Sequence, residues 1–133
     1  MNILPPWDEP AIRVLMMPRD TNAHGTIFGG MILSYVDQAG AIEARRQGCN
    51  LIVTVSMDKV VFHQPVFVGD LVSFWTETLK IGTTSITTKV KVEAIRVDDP
   101  TSKVLVTEAQ VVYVNIGPDR KPLPIAQKPN AFA

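Results

Sequence analysis

The sequence predicts an α+β domain in which a single apolar helix is covered by an antiparallel sheet. Three observations lead there. Residues 31–46 form the one long stretch with apolar side chains at helical spacing, at Met31, Ile32, Tyr35, Val36, Ala39 and Ile42, and they contain no proline. From residue 51 onward the period changes to two and β-branched residues dominate. The helix is also apolar around most of its circumference, so a sheet has to cover it.

The elements follow in order along the chain. Residues 12–17 are a short apolar run closed by Pro18, read as a first strand. Asp20, Asn22, Gly25, Gly29 and Gly30 mark a loop before the helix. Gly48 supplies its C-terminal stop. Residues 51–62 alternate, with Val53, Val55 and Met57 on one side and Thr54, Ser56 and Asp58 on the other. Gln64-Pro65 and Gly69-Asp70 punctuate the way to a strand at 71–80, and Gly82 marks a turn. In the strand at 84–96, Ile86, Thr88, Val90, Val92 and Ala94 point inward while Ser85, Thr87, Lys89, Lys91 and Glu93 point outward. Asp98, Asp99 and Pro100 make another turn. Residues 103–115 are apolar on both faces, as expected of a central strand. The arrangement is strand, helix, then a four-strand antiparallel meander, in one domain over residues 1–133 with ragged ends near 1–10 and 118–133.

Composition narrows the function. Thirteen basic and thirteen acidic side chains cancel, which argues against nucleic acid or an anionic membrane as partner. The single Cys49 excludes a disulfide within the chain, and with only His24 and His63 beside it a Cys/His metal site lacks ligands. The segment 1–10 has neither the basic start nor the apolar run of a signal peptide, and no segment approaches a membrane span of ~20 apolar residues. The expected compartment is the cytoplasm.

One acid stands out. Asp37 is the only carboxylate between Asp20 and Glu43, and its helical neighbours are Leu33, Ser34, Gly40 and Ala41, all apolar or small. Such an acid is either held by backbone donors or a buried lysine, or it does chemistry in the room the small residues leave. The second feature is the entry to the helix, Asn22 through Gly30. Gly-Gly there is a flexible helix start on one reading. On the other, glycine lets a substrate carbonyl approach the free N–H groups of the first turn, which can polarise it and stabilise an oxyanion. Gly29 and Asp37 lie roughly 12 Å apart along one helix, at ~1.5 Å per residue, too far to serve one carbonyl. A two-fold dimer with antiparallel helices would bring Asp37 of one subunit to Gly29 of the other, giving two composite sites.

The run DTNAHGTIFGGMILSYVDQAGAI from Asp20 to Ile42 resembles the signature of hotdog-fold acyl-CoA thioesterases, in particular the YciA-type branch of acyl-CoA hydrolases. VTVSMDKVVF ending at Phe62, PVFVGD ending at Asp70 and YVNI from Tyr113 support it, and the resemblance spans roughly residues 11–125. It implies the hotdog fold, an antiparallel β-sheet wrapped around one long central α-helix. It implies Asp37 as catalytic carboxylate, Asn22 as the group orienting water or thioester, and the Gly29 N–H as oxyanion donor. Gly30, His24, Thr54 and Phe62 fall around the substrate. Coenzyme A enters as part of the substrate, with no separate cofactor, and family members form dimers assembled into tetramers or hexamers. His24 stands where many short bacterial members have Asn. Thr83 stands where some relatives carry a basic residue, which leaves Lys80, Lys89 and Arg45 as alternatives for a phosphate contact.

In this reading water attacks the thioester with Asp37 as general base, or Asp37 attacks directly through a mixed anhydride. Burial against the apolar helix face would tune its proton affinity. Packing of Met31, Tyr35, Met57 and Phe62 sets the depth open to the acyl chain. Two rivals share the fold. A dehydratase or hydratase would pair His24 with Asp37, but prolines expected around its His are replaced by Gly25 and Thr26. A non-catalytic acyl-CoA sensor has little use for an acid beside a neutral thioester. Cys49, just past the helix with no nearby His, is a poor nucleophile. His24 separates hydrolase from dehydratase: His24→Ala should leave measurable thioester hydrolysis, and hydration of an enoyl-CoA by the wild type with no free thiol released would overturn the hydrolase reading.

Overall fold

The computed structural model describes residues 3–126; residues 1, 2 and 127–133, the outermost parts of the expected ragged ends, lie outside the described residues. Five strands and one long helix follow one another: β1 (Ile12–Leu15), a short 3₁₀ turn (Pro18–Asp20), α1 (Gly29–Arg46), β2 (Leu51–Phe62), β3 (Leu71–Ile81), β4 (Ser85–Ile95) and β5 (Lys103–Ile116).

The helix begins at Gly29, two residues before the apolar spacing marks it, because the glycines continue the first turn. Arg45 and Arg46 sit in its last turn, where cations complement the negative end of the helix dipole. It stops at Gly48, whose φ of 119° is open to glycine and costly for other residues. Its face of Ile32, Val36, Ala39 and Ala44 is buried against the sheet. The inward residues Ile86, Val90, Val92 and Ala94 of β4 are fully buried, as the alternation predicts, and Val106, Ala109 and Val111 of β5 meet them.

The strand order is β1-β3-β4-β5-β2, all neighbours antiparallel. This corrects the expected four-strand meander. Only β3, β4 and β5 run as a meander; β2 lies against β5, at the opposite edge from β1. The reason is in the connections. A tight turn at Gly82 joins β3 to β4, whereas residues 63–70 between β2 and β3 carry no hairpin signal and cross the molecule instead. The crossing leaves β5 central, which its apolar faces require.

A second correction concerns β2. A register shift between Thr54 and Ser56 places Thr54 opposite Tyr113 but Ser56 opposite Val112. This bulge at Val55 inverts the alternation, so Met57, opposite the buried Val111, shares the inner face with Thr54. Val53 and Val55 are left exposed.

Described parts of both end segments are tied down. The Leu4 N–H donates to Gln47 Oε1 at 2.9 Å, Arg46 donates to the Pro5 carbonyl at 2.8 Å, and its guanidinium lies 5.2 Å from the centre of the Trp7 ring. At the other end the Ile125 N–H donates to the Thr83 carbonyl at 2.9 Å, and Ile125 is buried.

The crossing segment is held by a buried ion pair. Asp70 is 1% exposed and accepts from Arg96 Nη1 at 2.7 Å, from the Phe67 N–H at 2.9 Å and from the Val97 N–H at 3.3 Å. Arg96 also donates to the Pro65 carbonyl at 2.9 Å. Removing one partner strands a charge in the interior. Arg96→Met should therefore cost about 3 kcal/mol of stability, read as a lower midpoint in urea unfolding; an unchanged midpoint would show that the pair does not anchor the crossing.

Candidate active site

Helix α1 carries two acids with opposite surroundings. Glu43 is buried and saturated: Arg46 approaches both carboxylate oxygens, at 2.9 and 3.0 Å, Gln47 donates at 3.1 Å, and the hydroxyls of Thr78 and Thr76 donate at 2.6 and 3.4 Å. This acid is neutralised and locks the end of the helix to β3. Asp37, less than two turns earlier, is half-buried. Its carboxylate accepts one hydrogen bond, from Thr54 Oγ1 at 2.8 Å. Among the described residues no cation pairs with it, so the buried lysine that could have made it structural is absent.

The helix lies close to the sheet at this level. The Tyr113 hydroxyl donates to the backbone carbonyl of Asp37 at 2.6 Å. Gly40, one turn on, makes room: a Cβ there would collide with the Tyr113 hydroxyl and stand 3.0 Å from Thr88 Oγ1. Burial first, then the nearby negative charge of Asp37, raises the Tyr113 phenol above its ordinary range. Sequence reading placed Thr54 around the substrate by resemblance, and in the structure it faces the helix at Asp37. That reading missed Tyr113 and Gly40 as a contact. The available signal was a tyrosine at an inward position of a central strand, whose hydroxyl must find a partner.

At the other end of the helix a cleft of about 320 Å³ opens between Gly29 and the end of β2, lined by Ile27, Ile32, Phe62, His63 and Pro65 among others. The Phe62 ring closes one wall, 3.5 Å from where a Gly29 Cβ would stand. The N–H groups of Gly29 and Gly30 have no acceptor among the described residues, as expected of a first helical turn. Phe62, Gly29 and the loop entering the helix are thus together. His63, read from sequence only as a loop residue, belongs to this cleft.

Asn22 shapes its own loop. Its side-chain oxygen accepts from the His24 and Thr26 N–H groups at 2.8 and 3.2 Å, and its amide donates to Thr26 Oγ1 at 2.8 Å. The loop is pinned further by the Ile27 N–H on the Val66 carbonyl at 2.8 Å and the Phe28 N–H on the Asp20 carbonyl at 3.0 Å. Asn22 makes no hydrogen bond to Asp37. His24 is exposed, and its side chain makes no hydrogen bond among the described residues. Within one chain, therefore, the candidate residues fall in two sets: Asp37 at mid-helix with Thr54 of β2 beside it, and Asn22, Gly29, Gly30 and Phe62 near the helix start. No group of three His, Cys, Asp or Glu among the described residues is gathered to hold a metal ion, and no helix there is long and apolar enough to cross a membrane.

Comparison with known proteins agrees with this fold. The sequence model of the thioesterase superfamily matches residues 24–99, which include Asp37, Thr54 and the cleft. The chain is 41% identical to the acyl-CoA thioester hydrolase YciA of Salmonella typhimurium over 122 residues, 90% of this chain and 92% of that protein. It superposes on Cj0915, a hexameric hotdog-fold thioesterase of Campylobacter jejuni, with a TM-score of 0.83 at 47% identity, covering 89% of this chain and 90% of that one. The hexameric thioesterase y2039 of Yersinia pestis gives a TM-score of 0.84 at 38% identity, covering 90% and 97%. One helix wrapped by an antiparallel sheet is therefore the hotdog fold.

The raised phenol has a measurable consequence. Below the ordinary value of 10.0 the Tyr113 hydroxyl is neutral in both folded and unfolded chains, and its contribution to stability is complete. Above it only the unfolded chain ionises, so stability should fall as pH rises until the folded phenol also ionises. Ultraviolet titration, with Tyr113→Phe as the reference, should show Tyr113 ionising in the folded protein only above the ordinary phenol range, or on unfolding; ionisation of Tyr113 in the ordinary range in the folded state would contradict the burial.

Proposed function

The chain belongs to the thioesterase superfamily, and from that membership we propose that it hydrolyses acyl-CoA thioesters to free acid and coenzyme A with Asp37 as its catalytic carboxylate. The contrast between the two acids of α1 carries the assignment. Glu43 is compensated by a cation and three neighbouring hydrogen-bond donors, whereas Asp37 has no cation partner among the described residues and one hydroxyl to orient it. A carboxylate held in place by Thr54, with no cation beside it among the described residues, is suited to take a proton from water.

In the proposed reaction the thioester carbonyl rests against the Gly29 N–H, at the positive end of the helix dipole. Asp37 removes a proton from water as the oxygen attacks the carbonyl carbon. The tetrahedral intermediate collapses with departure of the thiolate, which takes up a proton to give the coenzyme A thiol. The loop closed by Asn22 holds the donor to that carbonyl in shape, and the second amide hydrogen of Asn22 remains to orient water or thioester. Water is the only co-reactant, so no cofactor beyond the coenzyme A of the substrate is called for.

A second copy completes the site. β2 is an edge strand with Leu51, Val53, Val55 and Val61 exposed, an arrangement that favours pairing with another chain. Pairing of β2 with its copy across a two-fold axis sets the helices antiparallel and brings Asp37 of one protomer to the Gly29 cleft of the other. The hexamers formed by the Campylobacter and Yersinia relatives support assembly of such dimers into a hexamer.

Asp37→Asn should fold and assemble while losing activity by about 100-fold or more, the usual scale of general-base catalysis. Mixing it, after verified subunit exchange, with an inactive Gly29→Val protein should restore up to half the activity per heterodimer, because both lesions then fall in one site. Near-normal turnover by Asp37→Asn would sink the assignment, and exchange without recovery would place Gly29 and Asp37 in sites of a single chain.

A further inference from the structure

Thr54 and Tyr113 are direct cross-strand partners on β2 and β5. Directly opposed residues of an antiparallel pair project to the same face. Both reach Asp37, and they hold different parts of it: Thr54 Oγ1 the carboxylate at 2.8 Å, the Tyr113 hydroxyl the backbone carbonyl at 2.6 Å. A main-chain carbonyl inside a helix already accepts the N–H four residues on, so the phenol is not needed to satisfy it. Tyr113 is 1% exposed and is seated against Gly40, which leaves its ring one place to be.

We propose that Tyr113 is a positioning residue for hydrolysis, one arm of a two-point clamp with Thr54 that fixes the backbone and side chain of Asp37 together. The proposal rests on the hydrolase reading above. The bulge at Val55 is what makes the clamp possible, since it restores Met57 to the inner face after Thr54 has been turned toward the helix opposite Tyr113. With the carbonyl pinned to β5 and the carboxylate to β2, the helix turn that bears Asp37 cannot slide or rotate on the sheet without breaking one contact. A base must meet its water within hydrogen-bond reach, and misplacement by as little as 1 Å can cost about 100-fold. The phenol touches neither substrate nor water; it acts through Asp37.

The test is Tyr113→Phe, which removes the hydroxyl and keeps the ring, assayed as the assembled protein on a short acyl-CoA. We expect kcat to fall about tenfold, part of the loss that misplacement can cause, with KM within twofold. In an Asp37→Asn background the same change should cause no further loss of residual turnover, because the residue it positions is gone. Gly40→Ala, whose methyl group separates the hydroxyl from the carbonyl without changing residue 113, should reproduce the low kcat, and serves if Tyr113→Phe fails to fold. Wild-type kcat in a folded variant, with Asp37→Asn inactive, would overturn the clamp and spare the hydrolase reading. So would an equal, multiplicative loss in both backgrounds, the mark of a general structural role. An active Asp37→Asn would overturn both.

Discussion

The close seating of α1 on the sheet at Gly40 is the constraint on which the site depends. With no side chain at that position, the helix backbone comes within reach of Tyr113 and Thr88, and the Asp37 carbonyl meets a hydroxyl from β5. A methyl group there would lift the helix or displace the ring. Ridge-into-groove packing of larger side chains could bury the same apolar face, but at a spacing that leaves no strand hydroxyl able to touch the helix backbone. The fold's hydrophobic requirement and the site's geometric requirement meet at one glycine.

Two carboxylates on one helix then acquire different fates from their neighbours alone. Glu43 faces Thr76 and Thr78 of β3 and has Arg46 and Gln47 beside it on its own helix. The charge is thereby compensated, which is the condition for leaving it in the interior. Asp37 faces a single threonine of β2 and an open side. Nothing in the two side chains distinguishes them as acids; the distinction is a matter of which strand passes underneath and whether a cation lies one turn away.

The other half of the site is built by relay. Asp70 and Arg96 fix the crossing segment between β2 and β3; that segment offers the Val66 carbonyl to Ile27, and the Asn22 loop closes on its own donors to set the start of the helix. The cleft beside Gly29 is lined by this crossing segment and by the last residues of β2. The same crossing sends β2 to the edge of the sheet, where its exposed apolar residues invite a second copy. The exposure of an edge strand follows from this one topological feature, and the proposed shared site would follow from it too.

Local pattern in the sequence was enough to determine the helix and the strands, and to single out an isolated acid and a glycine-rich helix start. Helical spacing at Met31 to Ile42, strict alternation at Ile86 to Ala94 and the turn at Gly82 each arise from contacts within a few residues. The motif from Asp20 to Ile42 also marked Asp37, Asn22 and Gly29. What the tertiary structure alone decided was which strands are neighbours and which side chains meet. The place of β2 beside β5, the bulge at Val55 that sets Thr54 and Met57 on one face, the clasp of Tyr113 on Asp37 and the neutralisation of Glu43 all join residues from separate elements. Periodicity reports which way a side chain points, and only the packed chain determines what stands opposite it.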